Sequence, residues 1–231
     1  MSLILLKNFE YLMEKTGCQG KLRQKIKTVI KELIRKDSYQ RTRFEYSLRV
    51  GNNQLEKNFR FVNYDDYYLD FEKSLYLDRI NLIKKIIQNH FGSKPIFNRF
   101  FTSLKKLNHY QLPLYFGIET KDKKIFLKFY LNFFNLKDRN LASQLLQDFF
   151  KKLNLKTKLE KRKFSLWGLT IDKNEIFGHK IYYLYKKNFN LTKFNFSSFE
   201  QKIFNYLNAY NRENYFLITE RYDRNKAISK K

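Results

Sequence analysis

The sequence predicts an α+β protein: one continuous antiparallel sheet with helices on one face, which makes a β-barrel or a strongly curled sheet if it curls far enough to close or nearly close. Three observations predict it. Alternating strand-like runs come in pairs around short polar turns, and each pair is followed by an amphipathic helical run. The second and third pairs also superpose, since Gly117 precedes Lys128 by eleven positions and Gly168 precedes Lys180 by twelve. No Pro-, Gly- or Ser-rich linker separates the units, so a single domain is expected over residues 1–231, with a helical segment over 1–40 and repeated units over about 40–220.

The elements follow in order. In "GKLRQKIKTVIKELIRKD", Leu22, Ile26, Val29, Ile30, Leu33 and Ile34 recur at helical spacing and Lys21, Lys25, Lys27 and Lys31 take the outer positions. Phe44, Tyr46, Leu48 and Val50 then alternate with Glu45, Ser47 and Arg49 up to "GNN", beyond which Phe59 and Phe61 alternate with Arg60 and Val62 as the returning strand of a hairpin. A helix with Leu75, Ile80, Ile83, Ile86, Ile87 and Phe91 on its stripe closes the first unit. The second unit is "LPLYFGIETKDKKIFLKFYL", turning at "ETKDK", and a helix with Leu141, Leu145, Phe149 and Leu153 on one face. The third is "KFSLWGLTIDKNEIFGHKIYYLY" and a helix whose Ser197 and Glu200 have capping-box spacing. A fourth unit begins at "NYFLITERYDRNKAIS" and stops short.

Composition bounds the function. Hydrophobic residues make up 43% of the chain and aromatics 18%, so the charge coats a packed core. The net charge of +25 favours an anionic partner, though an AT-rich coding bias toward Lys, Asn, Phe, Tyr and Ile accounts for it equally well. One cysteine, Cys18, and three scattered histidines offer neither an internal disulfide nor metal-ligand spacing. The N-terminal apolar run is too short for a signal peptide and no stretch approaches a membrane span, so a cytoplasmic protein is expected.

If helices cover one sheet face, Ile125, Leu127, Phe129, Ile181 and Tyr183 point toward them. The other face then carries Glu45, Arg60, Phe126, Lys128, Tyr130, Lys180 and Tyr182, a mixture of cations, phenols and a carboxylate suited to a ligand-filled concavity. The blander alternatives are a solvated sheet face for the lysines, core packing for the tyrosines and an ion pair between Glu45 and Arg60.

The repeated hairpin-plus-helix units, the Lys-x-Tyr pairs Lys128/Tyr130 and Lys180/Tyr182, and Glu45 and Arg60 fifteen positions apart resemble the ABBA-type aromatic prenyltransferases, in particular the cyanobactin-type peptide prenyltransferases. The resemblance covers about residues 40–220. It implies a barrel ringed by helices with the reaction inside, although the three complete units counted here are fewer than the family carries. It further implies transfer of an isoprenyl group from a prenyl diphosphate to an aromatic small molecule or peptide side chain, as in natural-product or ribosomal-peptide biosynthesis. Glu45 would be the proton acceptor, Arg60, Lys128 and Lys180 the diphosphate ligands, and Tyr130 and Tyr182 the shield of the allyl cation. No protein metal site is expected, and Mg2+ would arrive with the diphosphate. "DDYYLD", with Asp65, Asp66 and Asp70, is similar to the aspartate-rich motif of isoprenyl diphosphate synthases but lacks the second copy they need, and is taken as a turn and helix start.

The alternative is a nucleic-acid binder using "KKLNLKTKLEKRKF", the basic N-terminal helix and stacking aromatics. The chain has no RNA-recognition aromatic signature, GXXG loop in a KH context or zinc-finger cysteines. The two readings differ in geometry: converging cations in a cavity, or cations displayed along an open groove.

Overall fold

Alternation builds the first hairpin with one addition. Strand β1 (Thr42–Tyr46) pairs antiparallel with β4 (Arg60–Asp65), and between them β2 (Val50–Gly51) and β3 (Gln54–Leu55) form a separate two-stranded ribbon. The long strands are therefore not joined directly by the "GNN" turn. Hairpins follow from β5 (Leu114–Lys121) with β6 (Lys124–Asn132), β7 (Phe164–Asp172) with β8 (Glu175–Lys186), and β9 (Tyr215–Asp223) with β10 (Lys226–Lys230). The last is short but complete, with a register shift between Ala227 and Ser229. The strand order is β1-β4-β5-β6-β7-β8-β9-β10.

This computed structural model describes residues 2–36, 42–46, 50–51, 54–55, 58–65, 73–106, 112–134, 136–157, 159, 164–172, 175–186, 215–223 and 226–230. Asp66, Asp70, Ser197 and Glu200 lie outside them, while Asp65 ends β4 opposite Thr42. The described helices are α1 (Ser2–Lys15), α2 (Gly20–Lys36), α3 (Lys73–Phe91), α4 (Pro95–Lys106) and α5 (Arg139–Lys152). None is long and apolar enough to cross a membrane. Helix α4 is an addition to the repeat, inserted between the first helix-capped hairpin and the second.

The chain divides into two compact units, Met1–Leu131 with Thr170–Ile176, and Asn132–Leu169 with Phe177–Lys231. In the first, helices cover one sheet face with aromatic and polar contacts. Phe9 of α1 meets Phe44, Phe59 and Phe61 edge-on, with centroids 5.4 to 6.2 Å apart. Phe100 and Phe101 of α4 pack on Phe129 of β6 at 4.7 and 6.2 Å. Arg79 of α3, itself buried, donates to the backbone carbonyl and side-chain oxygen of Asn63 in β4, which ties a helix to the sheet through a buried polar residue.

Helix α2 buries the expected stripe, with Ile26, Val29, Ile30 and Leu33 inaccessible and Leu22 and Ile34 half-buried. Its polar side is engaged locally: Lys27 pairs with Glu10, Lys25 lies 4.6 Å from the Phe91 ring centre, and Glu32 meets His90 at 2.7 Å. Burial pushes the Cys18 thiol up to about 11, which keeps it protonated and unreactive at neutral pH.

In the second unit, Asp138 caps α5 by accepting from the Asn140 and Leu141 amides at 2.9 and 3.1 Å. The buried stripe of α5 is Ala142, Leu145, Leu146, Phe149 and Phe150, followed by Leu153; Leu141, expected on it, is half-buried, because the stripe is centred one residue later. Phe149 and Phe150 pack on Trp167 of β7 at 5.5 and 5.8 Å. His179 of β8 lies among them, stacked on Tyr222 of β9 at 4.8 Å. The Trp167 indole donates to Nδ1 of His179 at 3.3 Å, so Nε2 carries the proton and donates to the Thr157 hydroxyl at 2.9 Å.

Burial lowers the pKa of His179 from 6.5 to about 4. The folded chain thus resists a proton that the unfolded chain accepts. The associated stability is complete above pH 6.5 and is lost as the pH falls toward 4. Urea midpoints at pH 7 and pH 5 should show a loss of about 2 kcal/mol from this group in the wild-type chain, absent in His179→Gln.

Candidate active site

Cross-strand register in the first unit gathers four of the sequence-predicted residues on the face away from the helices. Glu45 of β1 stands opposite Val62 of β4, Val62 opposite Gly117 of β5, and Gly117 opposite Lys128 of β6. The next row is Arg60, Glu119 and Phe126, and Tyr115 stands opposite Tyr130. Residues far apart in sequence become neighbours because a two-residue period is kept across every strand of the set.

This face is not a solvated surface over β5 and β6. Phe126, Lys128 and Tyr130 are 7%, 7% and 5% exposed, and Glu119 is 5% exposed. Their helix-side neighbours Phe116, Ile118, Leu127 and Phe129 are also buried, so both faces of these strands are shielded. Glu45 is exposed and Arg60 is half-buried.

The polar groups on this face are joined. A guanidinium nitrogen of Arg60 donates to the Tyr130 hydroxyl at 2.8 Å, crossing β5 diagonally. The Lys128 ammonium is 2.6 Å from Glu119 and donates to the Thr170 hydroxyl of β7 at 3.1 Å. A buried charge needs such company, since removing one partner of a buried pair costs about 3–5 kcal/mol.

Gly117 holds this row together by what it lacks. A Cβ there would stand 2.4 Å from the Phe61 carbonyl oxygen and 3.1 Å from a Val62 methyl, so only glycine allows β4 and β5 to approach this closely. The glycine also leaves the position opposite Lys128 without a side chain.

Lys180 and Tyr182 belong to the second unit. They are half-buried on β8, opposite Arg221 and Thr219 of β9, and alternate with the buried Ile181 and Tyr183. The Tyr182 carbonyl accepts from the Ser165 hydroxyl at 3.4 Å. Arg221 holds the register position opposite Lys180 on β9, a pairing that the Lys-x-Tyr spacing did not point to.

Glu119 and Thr170 were missed in the same way. The available signal was local: each lies two residues after a glycine, in "GIE" and "GLT", on the side shared with the Lys-x-Tyr residues of the neighbouring strand. Among the described residues no group of three or more His, Cys, Asp or Glu side chains is placed to hold a metal ion.

The antiparallel sheet with its helix layer is the fold of a solved prenyltransferase. That structure, described as the crystal structure of prenyltransferase PriB in its apo form, matches with a TM-score of 0.68 over 95% of this chain and 71% of its own, at 12% sequence identity. At that identity the fold is what the two share, and it agrees with the sequence resemblance to ABBA-type prenyltransferases. No protein-family model and no curated protein matches the sequence.

Two substitutions probe the geometry. Tyr130→Phe removes the acceptor used by Arg60 and should lower stability by about 1 kcal/mol. Gly117→Ala must push β4 from β5 and should cost more, about 1–3 kcal/mol, in the same denaturant titrations.

Proposed function

We propose that this chain is a prenyltransferase that moves an isoprenyl group from a prenyl diphosphate to an aromatic acceptor, a peptide side chain or a small molecule. The observation that carries this reading is the Arg60–Tyr130 hydrogen bond beside the buried Lys128, on one sheet face of a fold shared with a prenyltransferase. A closed barrel, which would enclose that face, is part of the proposal.

The chemistry follows from the side chains. Breaking the C–O bond leaves its electron pair on the departing diphosphate, and fixed cations stabilise that growing charge more than they stabilise the bound ground state. Arg60, Lys128 and Lys180 take this role; a guanidinium grips two oxygens at once, and the ammonium groups act as point charges. The allyl cation left behind is shielded from water and lies against the rings of Tyr130 and Tyr182, each contact contributing about 0.5–2 kcal/mol. The acceptor ring attacks the cation, and Glu45 takes the proton it releases. Any Mg2+ enters as part of the diphosphate substrate.

The burial of Lys128 against Glu119 also favours this reading over nucleic-acid binding, which needs cations displayed to a passing backbone. Calorimetric titration with dimethylallyl diphosphate, geranyl diphosphate, inorganic diphosphate and a short single-stranded oligonucleotide tests it. The expected result is micromolar affinity for the prenyl diphosphates, lost in a folded Arg60→Ala, Lys128→Ala variant. Salt-sensitive oligonucleotide binding with no preference for prenyl diphosphates would overturn it. Glu45→Gln should keep donor affinity while lowering turnover at least about 100-fold, in line with loss of a general base.

A further inference from the structure

Resting on the reading of this face as a diphosphate site, we infer that Glu119 is an internal competitor for the substrate: a carboxylate that holds the Lys128 ammonium while the site is empty and yields it to the diphosphate. The geometry assigns this role by placing the Glu119 carboxylate on the ammonium that a diphosphate would need. Glu119 stands opposite Phe126, one row from Gly117, and its carboxylate reaches diagonally to Lys128 at 2.6 Å. Because Gly117 has no side chain, nothing opposite Lys128 blocks that path. Thr170 takes a second hydrogen of the ammonium from β7. The lysine is thus held from two neighbouring strands before any substrate arrives.

Charge on this face makes the pairing consequential. At the buried centre of the face, over β5 and β6, Lys128 is the buried cation and Glu119 the buried carboxylate, with Arg60 half-buried on β4 and Asp172 two residues beyond Thr170 on β7; Lys121 and Lys124 share the side but stand exposed at the turn. At that centre Lys128 is matched by Glu119 at rest, so a diphosphate that takes the ammonium exchanges places with Glu119, and it does so against the repulsion of the carboxylate left behind. In a shielded site such repulsion is little screened by solvent. The exchange keeps Lys128 charged and oriented in the empty site, and it sets the affinity for diphosphate below what the lysine alone would provide. For an enzyme that must release diphosphate after each turnover, a returning carboxylate displaces the product from its cation.

The inference predicts a gain of binding on removal of a charge. Inorganic diphosphate and dimethylallyl diphosphate are titrated calorimetrically into the wild-type chain, Glu119→Gln, and Glu119→Gln combined with Lys128→Met, each verified as folded by circular dichroism. Glu119→Gln should bind inorganic diphosphate about tenfold more tightly than wild type, and the double variant should lose that gain. A second measurement needs no Glu119 variant: the side-chain ammonium resonance of Lys128, assigned through Lys128→Met, should move when inorganic diphosphate is added to the wild-type chain. Equal or weaker binding by folded Glu119→Gln overturns the inference, as does an unmoved Lys128 resonance at saturating diphosphate. If the wild-type chain binds neither diphosphate, the prenyltransferase reading and this inference fall together. Binding of inorganic diphosphate with the expected gain, but without prenyl transfer to any acceptor, would overturn that reading and leave the exchange standing.

Discussion

Strands β5 and β6 are buried on both faces, and the architecture of the first unit depends on meeting that constraint. On the helix side the solution is apolar: Phe116, Ile118, Leu127 and Phe129 receive Phe100 and Phe101. On the other side the same strands carry Lys128, Glu119 and Tyr130 out of bulk solvent, where an unpaired charge or phenol would be costly. The ion pair of Lys128 with Glu119, the bond to Thr170 and the Arg60–Tyr130 bond together make that burial tolerable. A pair of well-packed aliphatic residues would serve stability as well or better.

The second unit buries a titratable group in its neutral form. His179 is buried as the neutral base, holding one hydrogen bond as acceptor and one as donor while its ring stacks on Tyr222. The two units therefore place polar groups in different electrostatic settings. His179 is buried as a neutral ring, and Lys128 is buried beside a carboxylate.

Much of this organisation was legible from residue order. The period of two in "KKIFLKFYL" placed Lys128 and Tyr130 opposite Leu127 and Phe129 correctly, and the 3.6-residue period found the stripe of α2 and, in α3, the buried Ile80, Ile83, Ile86 and Ile87. Local signals failed where they compete or are absent. The ribbon of β2 and β3 was hidden because "GNN" offers a turn at the right place for a simpler hairpin. Helix α4 breaks a repeat pattern that otherwise accounts for its neighbours. In α5, Ala142 rather than Leu141 faces the core, since a small residue can be buried where a helix approaches closely.

By itself the sequence determined the alternation of strand pairs and helices and the side of each strand on which the charged and phenolic residues fall. These are consequences of backbone periodicity, which needs no knowledge of what lies across the sheet. Only the tertiary structure decided that Arg60 bonds Tyr130, that Glu119 and Thr170 hold Lys128, and that Gly117 must lie against the Phe61 carbonyl. Those facts depend on register between strands and on how closely they approach, and register is set by the sum of many distant contacts rather than by any one stretch of chain.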